Sequence, residues 1–211
     1  MKFFKDYYPI SIPQGILFYP CTGLDIIEPI ELFADTIREF HFADLIPFTL
    51  PSIPKESLLA SSKIIKQGYL NPKLYQIIID VNNKYLTINW HQTDAIKVLE
   101  KLNNISVFFY RGDSIAGSGS WIYWLGKELL PKILTKIVNG GLIITDGSNP
   151  DEDYKIHPWK ELYLHSQLGH FSDNRIITPN NFTYNNRCFT CLGPLGKRYG
   201  TVYAWKVEFS D

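Results

Sequence analysis

Two hydrophobic periods alternate along this chain. Short apolar runs bounded by turn formers give way to stretches where apolar residues recur every three or four positions, a pattern that predicts strands covered by helices. The first run, Gly15-Ile16-Leu17-Phe18-Tyr19, stops at Pro20. Ile26, Ile30, Phe33, Ile37 and Phe40 then keep helical spacing, so a helix is expected from about Ile26 to Phe40. Asp25 is its expected N-cap, Glu28 completes a capping box, and Pro29 is tolerated in the first turn. A short strand, roughly Glu39 to Leu45, ends near Asp44, and a helix is expected around Lys55–Lys66.

Two strand-like runs, Leu74–Val81 and Lys84–Trp90, flank Asn82-Asn83. They predict a hairpin, because Asn tolerates the positive φ of such a turn. A helix opens at Gln92 or Thr93 and runs through Leu102, and Ile105–Tyr110 predicts a buried strand. Trp121 to Val138 predicts a long amphipathic helix stopped by Asn139-Gly140-Gly141, before the core strand Leu142–Thr145. Residues 147–181 are irregular and polar, with a short helix at Trp159–Leu168. The tail, Phe182–Leu192 and Thr201–Phe209, reads as an antiparallel pair joined through Gly193–Gly200. These elements predict an α/β fold: a Rossmann-like three-layer sandwich whose mostly parallel sheet is closed by a C-terminal antiparallel strand pair. No repeat or linker divides it, so a single domain over residues 1–211 is expected.

Composition narrows the classes. Lys+Arg and Asp+Glu both number 21, with no basic block, which disfavours nucleic-acid binding by bulk charge. The N-terminus carries Lys2, Lys5 and Asp6 and does not read as a signal peptide, and no apolar run is long enough to span a bilayer. Three cysteines make no disulfide framework and fit a reducing compartment, so the cytoplasm is the expected location. Cys188 and Cys191 have zinc-like spacing. On a strand, however, they face opposite sides, and structural cysteines are the better reading.

In open α/β sheets, ligands bind beyond the carboxyl ends of the strands, where the strand order reverses. The residues to inspect are therefore Tyr19, Pro20, Cys21, Thr22, Gly23 and Asp25, then Asp44, then Asp94-Ala95, then Arg111-Gly112-Asp113 with the Ser/Gly-rich segment to Ser120, and finally Asp146. Gly23 permits close backbone approach. The turn lacks the G-x-G-x-x-G dinucleotide pattern, and Gly117–Ser120 lacks the lysine of a P-loop. Asp25 beside a helix start repels phosphate, so a ligand without phosphate and with an ammonium group suits the turn better. Each acidic residue also has a plain structural reading: Asp25 as a cap, Asp44 as a solvated strand end, Asp94 as a partner of the helix dipole. His157, His165 and His170 fall in the polar segment without a metal motif, and no G-x-S-x-G elbow is present.

From Gly15 to Phe209, the order of elements resembles the class I S-adenosylmethionine (SAM)-dependent methyltransferases. The resemblance implies a cofactor turn at Tyr19–Gly23 with Asp25, ribose binding by Asp44 and adenine contact at Asp94-Ala95. It also places Arg111-Gly112-Asp113 towards the methyl donor and a small-molecule or protein acceptor. Asp113 or Asp146 would then orient or deprotonate that acceptor. The turn departs from the family pattern, keeping only Gly23, and no Asn-Pro-Pro-Tyr-type motif follows Ile105–Tyr110. A non-catalytic binding protein on the same fold, and a nucleotide-binding enzyme using Gly117–Ser120, are the other readings.

Overall fold

The computed structural model describes residues 2–49, 51–55, 57–111, 120, 122–146, 181–195 and 202–210. The chain packs as two compact units, Met1–Phe109 and Tyr110–Asp211.

The first unit holds α1 (Phe4–Tyr7), β1 (Ile16–Pro20), α2 (Ile27–Phe33), β2 (Glu39–Asp44), a 3₁₀ turn (Leu58–Ser61), β3 (Lys63–Asn71), β4 (Leu74–Val81), β5 (Lys84–Gln92), α3 (Ala95–Lys101) and β6 (Ile105–Tyr110). Its strands lie in the order β3-β4-β5-β2-β1-β6. The pairs β5–β2, β2–β1 and β1–β6 are parallel, whereas β3–β4 and β4–β5 are antiparallel. From β1 the chain moves to β2 on one side and later to β6 on the other. The order therefore reverses at β1, and the crevice lies at its carboxyl end. This parallel centre with a reversal point, linked by helices, is a Rossmann-like α/β fold. β3 extends the expected Leu74–Trp90 hairpin into a larger antiparallel flank.

Pleating sorts the central residues into two faces. Leu17, Tyr19, Phe40, Phe42, Ile88 and Trp90 share one face by register and are fully or nearly fully buried. Phe18 and Phe108 pack edge-on across the other, 6.0 Å apart. Gly15 precedes β1 because any Cβ there would collide with Asn104 O and Ser106 Oγ.

The Asn82-Asn83 hairpin forms as expected, with φ of 52° and 62°. Asp94 caps α3, accepting from Ile96 N at 2.8 Å. Three helical expectations fail for identifiable reasons. The first helix ends at Phe33: the Arg38 guanidinium donates to Ala34 O at 2.6 Å and Asp35 O at 3.1 Å, closing the terminus, and Phe40 enters β2. Its N-cap is Ile26 without a side-chain bond, so Asp25 is not the cap. In place of a helix over Lys55–Lys66, the chain makes only the 3₁₀ turn, where Ser57 caps by accepting from Leu59 N, before Lys63 starts β3.

The second unit holds α4 (Leu130–Leu134), β7 (Ile137–Thr145), β8 (Phe182–Tyr184), β9 (Arg187–Leu195) and β10 (Val202–Phe209). The order is β7-β10-β9-β8 with every pair antiparallel. The long helix expected over Trp121–Val138 shrinks to α4. Pro131 fits only a first turn, and β-branched Ile137-Val138 open a strand that runs through Asn139-Gly140-Gly141. The tail contains three strands instead of two, because Asn185-Asn186, with φ of 49° and 56°, turn β8 into β9. Phe182 stacks on Phe189 at 4.4 Å and meets the Trp205 edge at 5.6 Å. The expected helix at Trp159–Leu168 lies outside the described residues. No described helix is long and apolar enough to cross a membrane.

Candidate functional site

The chain leaves β1 through a tight turn that a single carboxylate ties to the end of β2. Cys21 (φ 51°) and Gly23 (φ 55°) are both left-handed. Glycine accepts this conformation freely, whereas a side chain bears strain there. Cys21 therefore occupies a position suited to glycine. Among the described residues, nothing lies within 4 Å of where a Gly23 Cβ would sit, so its backbone faces open space.

Asp44 performs the tying. Its Oδ2 accepts from Gly23 N at 2.8 Å, and its Oδ1 accepts from Ile46 N at 3.1 Å. A carboxylate offers about four acceptor directions, so two remain after these bonds. Asp25 braces the same turn from within: Tyr19 OH donates to its Oδ2 at 3.1 Å, Asp25 N donates to Thr22 O at 3.0 Å, and Thr22 Oγ1 donates to Asp25 O at 3.1 Å. Tyr19 is buried against Phe109 and Phe42, with ring centroids 4.9 and 6.3 Å away. Pro20 pairs with Ala43 at the strand ends. The structure thus gathers Tyr19–Asp25 and Asp44 into one place. Asp94 caps α3 from beyond the end of neighbouring β5, and Ala95 is buried as the first residue of that helix.

Apolar side chains are exposed within this turn and just after Asp44. Leu24, Leu45 and Ile46 are exposed, Leu45 by 75%. Leu45 and Ile46 directly follow the strand-ending Asp44, and two exposed aliphatic residues there were the available signal. Ile46 O accepts from Trp90 Nε1 at 3.3 Å, and Phe48 packs on Tyr75 and Trp90, which fixes this stretch over β4 and β5.

A polar row on β2 and β5 also escaped the sequence reading. His41 Nε2 lies 2.8 Å from Glu39 Oε1, and its Nδ1 lies 2.9 Å from His91 Nε2. The two rings are near-parallel with centroids 5.2 Å apart. That spacing suits a head-on hydrogen bond between ring nitrogens and not two ligands converging on a metal. Asn89 Nδ2 donates to Glu39 at 3.2 Å and Gln76 Nε2 donates to Asn89 Oδ1 at 2.9 Å. Burial, then the neighbouring His41 and Lys101, push the His91 pKa down to about 4. The hydrogen bond from His41 holds the Glu39 carboxyl below its usual range. Alternating Glu-Phe-His in β2 and Asn-Trp-His in β5 was the legible trace.

In the second unit, Arg111 is buried directly after β6, and Asp146 follows β7 partly exposed. Gly112, Asp113, the 117–119 segment, His157, His165 and His170 lie outside the described residues. Ser120 Oγ accepts from Ile122 N at 3.1 Å but caps no helix. Cys188 and Cys191 sit on β9 with free thiols, and burial pushes the Cys191 thiol up. Among the described residues, no group of three His, Cys, Asp or Glu is placed to hold a metal.

No family model matches the chain, and no curated protein matches it. Solved structures do show likeness. Trm1 from Pyrococcus horikoshii, in complex with S-adenosyl-L-methionine, aligns at a TM-score of 0.47 and 12% identity over 93% of this chain. The chain spans 51% of that protein's length. An rRNA methylase from Streptococcus thermophilus aligns at 0.42 and 11% identity, covering 97% of this chain and 93% of the other. The plantazolicin methyltransferase BpumL, in complex with SAH, aligns at 0.39 and 9% identity, covering 98% and 79%.

Proposed function

We propose that the turn after β1, clasped by Asp44, binds SAM and that the chain is a methyltransferase acting on a small-molecule or protein acceptor. The observation that carries this reading is the Asp44 clasp. A strand-ending carboxylate fixes the turn through two backbone N–H groups and keeps two acceptor directions for a pair of vicinal hydroxyls. The residues fit the group. The open backbone at Gly23 admits close approach, and exposed Leu45 and Ile46 offer apolar surface to a planar base. When bound, SAM supplies an electrophilic methyl group. The chain's part is to hold the donor by its ribose and exclude disorder from the turn, so that an acceptor meets the methyl in a productive orientation. Asp25, whose Oδ2 accepts from Tyr19 OH, places a carboxylate beside the turn, which favours an ammonium over a phosphate. On the acceptor side, Asp113 and Asp146 are the residues we assign to orientation or deprotonation.

Thermal melting with excess SAM, S-adenosylhomocysteine (SAH), ATP or NAD tests the proposal. A specific ligand at a hundredfold excess over its Kd stabilises by about 2.7 kcal/mol. Stabilisation by SAM and SAH that disappears in Asp44→Ala is expected. Stabilisation by ATP alone overturns the reading. SAH binding without methyl transfer to any acceptor supports the non-catalytic alternative.

A further inference from the structure

The polar row on β2 and β5 is a chain of hydrogen bonds whose proton positions follow from the groups in it. A carboxylate only accepts, so the 2.8 Å contact with Glu39 Oε1 puts a proton on His41 Nε2. A neutral His41 then has a bare Nδ1, and the 2.9 Å contact puts the next proton on His91 Nε2. A neutral His91 in turn presents a bare Nδ1, which has no hydrogen-bond partner among the described residues. Asn89 supports this direction: its Oδ1 accepts from Gln76 Nε2, which turns its Nδ2 to donate to Glu39. The row thus runs from the half-exposed Glu39, through the buried His41, to the partly exposed ring of His91.

An added proton has two rings on which its charge can rest, and their surroundings differ. Burial disfavours charge on His91, and His41 and then Lys101 add repulsion. His41 has the Glu39 carboxylate on its other nitrogen at 2.8 Å, a bond that also holds the Glu39 carboxyl below its usual range. The cross-strand neighbours Phe18, beside His41, and Leu74, beside His91, carry no charge. An opposite charge in direct contact favours the charged form, so the charge settles on His41. We propose that the row is a one-proton switch: uptake at His91 Nδ1 leaves the charge on His41 against Glu39 and turns His91 Nδ1 from hydrogen-bond acceptor to donor. The proton comes from water or hydronium and bonds to His91 Nδ1. The His91 Nε2 proton crosses to His41 Nδ1, and its bonding pair stays on His91 Nε2, which now accepts from His41. A second proton would set N–H against N–H, so the two rings do not charge together.

Long-range ¹⁵N–¹H NMR of the histidine rings in the full chain, assigned with His41→Gln and His91→Gln, tests the proposal. At pH 8, His91 should carry its proton on Nε2 and none on Nδ1. As pH falls, one proton should enter first, leaving both His41 nitrogens protonated and the His91 proton on Nδ1. His91 should gain its second proton later, towards pH 4. In Glu39→Gln the first uptake should move down by about 1–3 pH units. A His91 ring that is doubly protonated while His41 stays neutral overturns the proposal, as do two rings that charge together. An unchanged first uptake in a folded Glu39→Gln overturns it too. The unaltered chain decides the first two outcomes even if Glu39→Gln folds poorly.

Discussion

β2 and β3 both mix apolar with polar residues, Glu-Phe-His-Phe-Ala-Asp against Lys-Ile-Ile-Lys-Gln-Gly-Tyr-Leu-Asn, yet they do opposite work in the same sheet. β2 lies between two parallel neighbours, its four central residues are buried, and its terminal Asp44 organises the loops beyond it. β3 has one neighbour among the described residues and buries none of its own. The difference teaches that hydrophobicity along a strand does not report its burial; the number of neighbours does. A strand flanked on both sides positions chemistry, and a strand at the edge is free to meet a partner.

The largest expected contrast is between core truncations. Phe42→Ala removes a fully buried ring and should cost about 3–5 kcal/mol. Ile64→Thr on β3 should stay within about 0.5 kcal/mol, by denaturant unfolding of both variants at low concentration. Equal losses would show that β3 is buried after all.

Asp44→Ala should cost about 1–2 kcal/mol, since it removes two hydrogen bonds to a carboxylate and leaves their N–H groups to water. Asp44→Asn should recover part of that stability while still weakening SAH binding, because it keeps an acceptor and loses the charge. Recovery of full SAH affinity by Asn would separate the brace from the binding role.

Acid should act through the polar row on β2 and β5. His91, with its pKa lowered to about 4 from 6.5, binds protons more readily in the unfolded chain, so stability falls as pH drops from 6.5 towards 4 and levels off below. The depressed Glu39 carboxyl adds a loss of the same sign as pH falls through its folded value. The shift sets an upper limit of about 3 kcal/mol, reduced by solvent screening because the ring is part-exposed. His91→Gln should flatten the dependence of Tm on pH over this window, and an unchanged slope would remove the row from the account. The smallest effect belongs to Cys21→Gly. Relief of a left-handed side chain is opposed by the entropy of glycine, so stability should rise by no more than about 1 kcal/mol, with SAH binding retained.

The centre of the fold is legible because its strands are short apolar runs stopped by strong signals: Pro20 at the end of β1, Asp44 at the end of β2, the Asn82-Asn83 turn before β5. Helices were misread wherever apolar spacing coincided with a strand's needs. Ile37 and Phe40 keep helical period yet straddle the entry to β2, and Ile137-Val138 close a helical pattern yet open β7. β3 was read partly as helix because exposure on both faces leaves no alternation to find. At the candidate site, the strand-end rule singles out Tyr19–Asp25 and Asp44, which the structure brings to one place, but Asp25, expected as the cap of α2, accepts from Tyr19 and does not cap that helix. The left-handed Cys21 was invisible, since a missing glycine reads as a missing conformation. The Glu39–His41–His91 row depends on cross-strand register, which no single segment displays.

Calorimetric titration of SAH into the unaltered chain and into Asp44→Ala, each shown folded by circular dichroism, addresses the central claim. One site is expected in the unaltered chain, with at least a hundredfold weaker binding in the variant. A folded, unaltered chain that takes up no SAH, or a variant that binds it equally well, would contradict it.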